Sequence, residues 1–265
     1  VNSFHRSWQV SEFNPNILYF GGSDALNFKG KLGEIVLFDR QIGKEELHRW
    51  QSYLSVKYGI TLFNLSYINS VGDTTWHYDQ HPEYHTAISG IGRDTIFNLH
   101  QKQSTMNDFL SIGIGEIAAD NTLNSHIIPE GNFLIWGVDE NLFDTPNYTY
   151  LIGDQEVITY GHCLMEATGE SIRYLPTTVQ IDLSERSDLD PSSCILLIDR
   201  DHTGNFETNS VEIYESSYID NNGVVTFSNI YWDTDQSGSD LFRIGFNSLE
   251  GTPRNLTDNQ EDQNI

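Results

Sequence analysis

The sequence predicts a mostly β protein, with antiparallel β-sandwich or jelly-roll-like regions and one connecting α-helix at about residues 44–58. Three observations lead there. Short alternating or apolar runs recur along the chain, separated by Gly, Asn, Asp and Ser clusters at sandwich-like intervals. A single stretch repeats apolar residues at helical spacing. The composition, 38% hydrophobic and 12% aromatic, is too apolar for a disordered polyanion.

Taken in order, residues 17–20 and 28–38 read as strands, the first stopped by Gly21-Gly22. The helix follows. Gly43 serves as N-cap, Glu45 and Glu46 occupy the first turn, and Gly59 ends it. Leu47, Trp50, Leu54 and Tyr58 share one face, so Leu47, Trp50 and Leu54 are expected to dock on the β region. Beyond Ile60 the expected strands are 86–91, 109–114, 133–136, 156–160, 172–183, 195–198, 211–214, 224–227 and 241–246. Asn221-Asn222-Gly223 marks a hairpin turn. The expected organisation is a β remnant at 1–42, the helix at 43–59, β-rich regions at 60–150 and 151–249, and a polar tail at 250–265.

Charge removes whole classes of function. Five Lys and nine Arg face 38 carboxylates, for a net charge of −24. A nucleic-acid partner needs a basic face to displace counterions, and anionic lipid needs a polybasic one. No apolar run approaches the roughly 20 residues of a membrane span, so membrane insertion is not expected. The 22 Asn residues, the scarcity of Lys and the 32 aromatic residues point to an extracellular, cell-surface setting, whereas the acceptor patterns at Asn64, Asn147 and Asn255 are matches that an Asn-rich chain yields by chance. Val1 is neither an initiator Met nor the start of a signal peptide, so the chain reads as a processed or excised piece. Cys163 and Cys194 fit either one disulfide or two buried thiols.

The acid-rich loops carry the most chemistry. Asp199, Asp201, Thr203, Asn205 and Glu207 place oxygens at alternate positions with Gly204 at the sixth, the front half of an EF-hand-like calcium loop. Ser210 at the twelfth position and flanking strands exclude a true EF-hand. Asp233, Asp235 and Asp240 form a second such loop, so calcium is the expected cofactor. His77, His81 and His85 recur every four residues, yet Pro82 forbids the helix that would stack them, and surface or packing histidines are the expectation. Gly90-Ile91-Gly92 lacks the Lys-Ser/Thr of a phosphate loop and is expected where strands pack closely, with Arg93 and Asp94 paired at the strand end and Arg93 a buried cation gathering carboxylates. Catalysis has no signature. Val36 stands where a jelly-roll glycosidase would place a second carboxylate after Glu34, and no nucleophile elbow or His-Glu-x-x-His run occurs.

Two stretches carry a family resemblance. Residues 28–40, with Gly30, Leu32, Glu34 and Ile35, then Glu45-Glu46-Leu47 and residues 52–62, resemble the end of a laminin-G-like, concanavalin A-like jelly roll. Ile88-Ser89-Gly90-Ile91-Gly92-Arg93-Asp94, Gln101-Lys102-Gln103-Ser104 and Asn132-Phe133-Leu134-Ile135-Trp136-Gly137 resemble an uncharacterised β-rich domain of large Bacteroidota surface proteins exported by the type IX pathway. The resemblance spans roughly residues 17–140, and residues 170–248 share only general sandwich texture with it. It implies a non-catalytic adhesin module that spaces or presents a binding surface. Its partners would be an extracellular glycan or protein ligand, or other domains of the same protein. In the alternative glycan-binding reading, Trp76, Tyr78 or Trp232 stack on sugar rings.

Overall fold

The computed structural model describes residues 22–23, 26–27, 30, 32–139, 146, 148–207 and 211–247. The chain divides into two compact units, 1–40 and 41–265. In the first, β1 (Gly22–Ser23) and β2 (Leu26–Asn27) form a short antiparallel ladder. Residues 32–38 lie outside regular secondary structure, correcting the strand expected over 28–38. No ladder among the described residues engages them, and a strand without a partner has little to hold it. The strand expected at 17–20 and the tail at 250–265 lie outside the described residues.

The second unit opens with α1 (Lys44–Tyr58). Then follow β3 (Tyr67–Ile68), β4 (Thr74–Trp76), β5 (Thr86–Asp94), β6 (Leu99–Gln101), β7 (Gln103–Met106), β8 (Leu110–Ile114) and β9 (Phe133–Val138). The remainder are β10 (Tyr148–Ile152), β11 (Gln155–Thr168), β12 (Thr177–Asp182), β13 (Cys194–Asp199), β14 (Val211–Glu215), β15 (Tyr218–Ile219), β16 (Val224–Ile230) and β17 (Ser239–Asn247). The large sheet has the order β14-β13-β17-β11-β9-β5-β6, with β10 added to β11. The smaller one is β15-β16-β12-β8-β7. All pairings among the described residues are antiparallel, so a mostly β sandwich forms, with α1 at 44–58 the one α-helix among those residues. The division expected near residue 150 does not separate two domains, because β9 and β11 lie side by side in one sheet. The strand expected over 172–183 is also shorter: a 3-10 turn, Ile172–Tyr174, precedes it, and Pro176 cannot donate to a ladder.

The large sheet is covered on both faces. Leu134, Trp136, Met165, Leu196, Ile198, Phe242 and Ile244 meet Ile112, Val179, Ile181, Val225 and Phe227 of the small sheet in one core. Their neighbours Phe133, Ile135, Leu164, Ile195, Leu197 and Leu241 face the other way, against Tyr53 and Val56 of α1 and Tyr67, Trp76, Tyr84 and Phe206. This double burial is why β9 and β13 read as continuous apolar runs rather than alternations.

The helix docks differently from the expected stripe. Ser52, Tyr53, Ser55 and Val56 are its buried residues, Trp50 and Leu54 pack at the rim, Leu47 is half-buried and Tyr58 is 41% exposed. The serines explain the rotation, because small side chains let the helix approach its neighbours closely. Ser52 also spends its hydroxyl on the Ile68 amide, whose N–H donates to it at 3.0 Å. Trp50 instead packs on Phe97, ring centroids 4.5 Å apart.

Cys163 and Cys194 are both free and buried. β17 runs between their strands, with Cys163 opposite Phe242 and Cys194 opposite Phe246. Two strand spacings alone are about 9–10 Å, beyond the reach of a disulfide. Burial pushes both thiols up, so neither is a ready thiolate. The native protein should therefore leave a thiol reagent unreacted, and denatured, unreduced protein should titrate two thiols; fewer than two would contradict this packing.

Candidate functional site

The two acid-rich loops join β13 to β14 and β16 to β17, and β13 pairs directly with β17, so the loops lie at one end of the large sheet. His202, in the left-handed region at φ 56°, ties the first loop to the second through its Nε2 and the carbonyl of Ser239. Within the first loop Asp199 is wholly buried. Its Oδ2 accepts the Gly204 N–H at 2.8 Å and the Thr203 hydroxyl at 3.3 Å, while Oδ1 is buried with no hydrogen-bond partner. Burial first, and the adjacent Asp201 carboxyl second, hold the Asp199 pKa above the ordinary carboxylate value. Asp201 accepts from the Thr203 amide at 3.4 Å. Thus Asp199, Asp201 and Thr203 lie together in the first loop, tied by these hydrogen bonds. Asn205 caps the Glu207 amide at 3.0 Å, and Glu207 reaches across to accept from the Leu151 amide of β10 at 3.1 Å.

The second loop is wired differently. Asp240, also wholly buried, accepts from Arg200 Nη1 at 2.8 Å and from the Asp233 amide at 2.6 Å. Arg200 also donates to Glu212 at 2.6 Å and to the carbonyl of Tyr231 at 2.9 Å. Asp233 lies 3.3 Å from Arg173 Nη2 and accepts the Gly238 N–H at 2.6 Å. Asp235 stays at the exposed tip, accepting from the Ser237 amide at 3.1 Å. Burial lifts Asp240 to about 6 even though Arg200 pulls it down. Guanidinium groups therefore already supply positive charge to Asp233 and Asp240. Among the described residues no three His, Cys, Asp or Glu side chains converge as a metal cage.

The histidine series does not converge either. His77 binds both oxygens of the buried Glu166, through its backbone N–H at 2.9 Å and its Nδ1. His85 accepts from the Trp76 indole at 2.9 Å and contacts the carbonyl of Leu62. Gly90 and Gly92 behave as expected: a Cβ on Gly92 would lie 2.1 Å from the Phe133 ring. Arg93 does not pair with Asp94, since it donates to the Ile128 carbonyl at 3.3 Å while Asp94 accepts the Ser70 amide at 2.7 Å. Arg93 also keeps a third of its side chain exposed, so the buried-cation role falls elsewhere. Trp76 and Trp232 are core residues, 0% and 1% exposed, which removes them as sugar platforms. Tyr78 is half-buried and donates to Asn64 at 3.1 Å.

Arg200 and Arg243 are the deeply buried cations that sequence reasoning missed. Arg243, 1% exposed, lies within 4.5 Å of the Tyr148 ring centroid and 5.2 Å of that of Phe206. Stacking on π faces offsets part of its desolvation, and its neighbour His162 is held down to about 3 by burial and by this guanidinium. The only signal was position, because Arg243 interrupts the apolar run Leu241-Phe242-Ile244.

A separate groove of about 320 Å³ lies between the end of α1 and the β6–β7 edge, with Lys57, Tyr58, Gln101, Gln103, Ser104 and Asn121 in its lining. Its amides are pinned. Gln103 donates to and accepts from the backbone of Ala118, both at 2.8 Å, and Asn121 bridges the His100 carbonyl and the Lys102 amide.

Comparison with known families adds one finding. Residues 46–237 match the family described as a domain of unknown function, DUF8202. The chain belongs to this family. The match begins inside α1 and ends in the β16–β17 loop, so the first acid-rich loop, the groove, Asp233 and Asp235 fall within the DUF8202 domain, while Asp240 lies just beyond it. No curated protein and no solved structure matches the chain.

Proposed function

We propose that this chain is a non-catalytic module of a large exported cell-surface protein, serving adhesion and spacing, and stiffened by one calcium ion in the β13–β14 loop. The observation that supports the calcium ion is Asp199: wholly buried and set against the Asp201 carboxyl, on a loop rich in hydroxyl and carbonyl oxygens. Calcium takes such neutral oxygens alongside carboxylates, and weak extracellular sites work at Kd about 10⁻⁴–10⁻³ M. The proposal is confined to this loop, because Arg173 and Arg200 already serve Asp233 and Asp240.

At tenfold excess over Kd, an ion binding only the native state adds about 1.4 kcal/mol. For a unit of this size that raises Tm by about 3–6 °C. Thermal unfolding in EGTA, in millimolar calcium and in magnesium is the test. A calcium-specific rise is expected, lost in Asp199→Asn and kept in Asp235→Asn. Equal melting in all three, with no heat of calcium binding, would leave the loop a plain turn.

A further inference from the structure

We infer that the groove between the end of α1 and the β6–β7 edge binds a neutral saccharide. This deepens the adhesive reading and rests on it, but not on calcium, since the groove and the calcium loop belong to opposite sides of the large sheet's strand order. The volume, about 320 Å³, sits at the small end of the range for ligand sites, enough for a short saccharide rather than a protein segment.

The lining chemistry selects the class. The chain carries 38 carboxylates, yet none appears among the ten lining residues, and Lys57 is the one charged side chain there. Cations therefore find no anchor. Extended polyanions are repelled by the net charge of −24. Hydroxyl-rich neutral rings suit what remains, because sugar hydroxyls both donate and accept.

The groove presents groups of both kinds in fixed positions. Gln101 donates its amide N–H to the Gln103 carbonyl at 2.7 Å, which orients its own carbonyl oxygen as an acceptor. The hydroxyl of Ser104 has no partner among the described residues. Thr105 and Ser111 share a hydrogen bond at 2.7 Å and retain further lone pairs. The ammonium of Lys57 is positioned by the Tyr53 hydroxyl at 2.6 Å and lies 5.7 Å from the ring centroid of the exposed Tyr58. Ile117 supplies an apolar contact for the C–H face of a ring. Since Gln103 and Asn121 are tied to backbone, binding orders few side chains, which is what lets a small ligand bind at all.

The experiment is saturation-transfer NMR on the full chain with a panel of neutral and acidic disaccharides, in EGTA and again in calcium. Selective transfer to at least one neutral disaccharide is expected in both buffers. Gln101→Ala and Ser104→Ala should each weaken that binding by a factor of about 3–10, with the melting temperature unchanged in Ser104→Ala and lowered by no more than about 6 °C in Gln101→Ala, which also gives up its bond to the Gln103 carbonyl. Transfer to acidic sugars only, to none, or undiminished in a Gln101→Ala, Ser104→Ala double variant overturns the inference. A calcium-dependent Tm with no sugar bound would sink the groove while leaving the calcium-stiffened module standing. Sugar bound with a calcium-independent Tm would do the reverse.

Discussion

Arg200→Met should destabilise the protein by about 3–5 kcal/mol at pH 7–8, and the loss relative to the parent should shrink on acidification. The guanidinium is the ion-pair partner of Asp240, a wholly buried carboxylate whose Oδ1 already lacks a hydrogen bond. Removing it leaves that charge uncompensated. The sign of the pH dependence follows from linkage. Asp240 is raised to about 6 in the folded protein, above the unfolded carboxylate value, so its protonation favours the native state. That contribution is fully present below about pH 4 and is lost as pH rises through 6. Without Arg200, which pulls the carboxyl down, the folded pKa climbs further and the loss at neutral pH grows. His81, His85, His100 and His162, all held below the usual imidazole value by burial, act in the opposite sense, destabilising the protein as pH falls below about 6.5. They are common to both proteins and cancel in the difference. Urea unfolding of parent and variant from pH 5 to 8 gives that difference directly. A pH-independent gap would show that Arg200 acts by packing alone, and an Arg200→Met, Asp240→Asn double variant should recover much of the neutral-pH loss.

Gly137→Ala is expected to cost at least the upper end of the about 1–3 kcal/mol usual for overpacking. Gly137 lies in β9 with ordinary strand geometry, so the cost is steric rather than conformational. A methyl group there would lie 2.1 Å from the Tyr84 carbonyl oxygen and 2.5 Å from Ile88 Cδ1. A backbone oxygen cannot swing aside as a side chain does. Either β9 or the segment around Tyr84 must move, and Trp76, 3.3 Å from the same point, moves with it. Near-UV circular dichroism of the tryptophans should change together with the denaturation midpoint. A loss below about 1 kcal/mol would mean that the arm carrying Tyr84 yields freely.

The sequence made α1 legible to the residue, because its stripe, acidic first turn and Gly59 all point the same way. Which face docks was not legible, since Ser52 and Ser55 count as polar in any periodicity yet are the residues that let the helix come close. Long apolar strands such as β13 announced themselves. The short edge strands β6 and β7, built from Leu, His, Gln, Ser, Thr and Met, did not, and the groove they border went unseen with them. The calcium-like spacing at Asp199 was visible because the oxygens are consecutive in sequence. The arginine clamp on the second loop was invisible, because Arg200 and Asp240 are 40 residues apart and meet only through the β13–β17 pairing.

The place of β17 in the large sheet has a mechanical meaning. It is the last described strand, and it lies between β13 and β11 rather than at an edge. Tension arriving along the chain beyond Asn247 therefore loads two antiparallel ladders lengthwise, with many hydrogen bonds strained at once. An edge strand under the same pull would be held by one ladder instead of two. Forced rupture is governed by the unfolding barrier rather than by equilibrium stability, so this arrangement resists sustained pulling even where the net folding energy is modest.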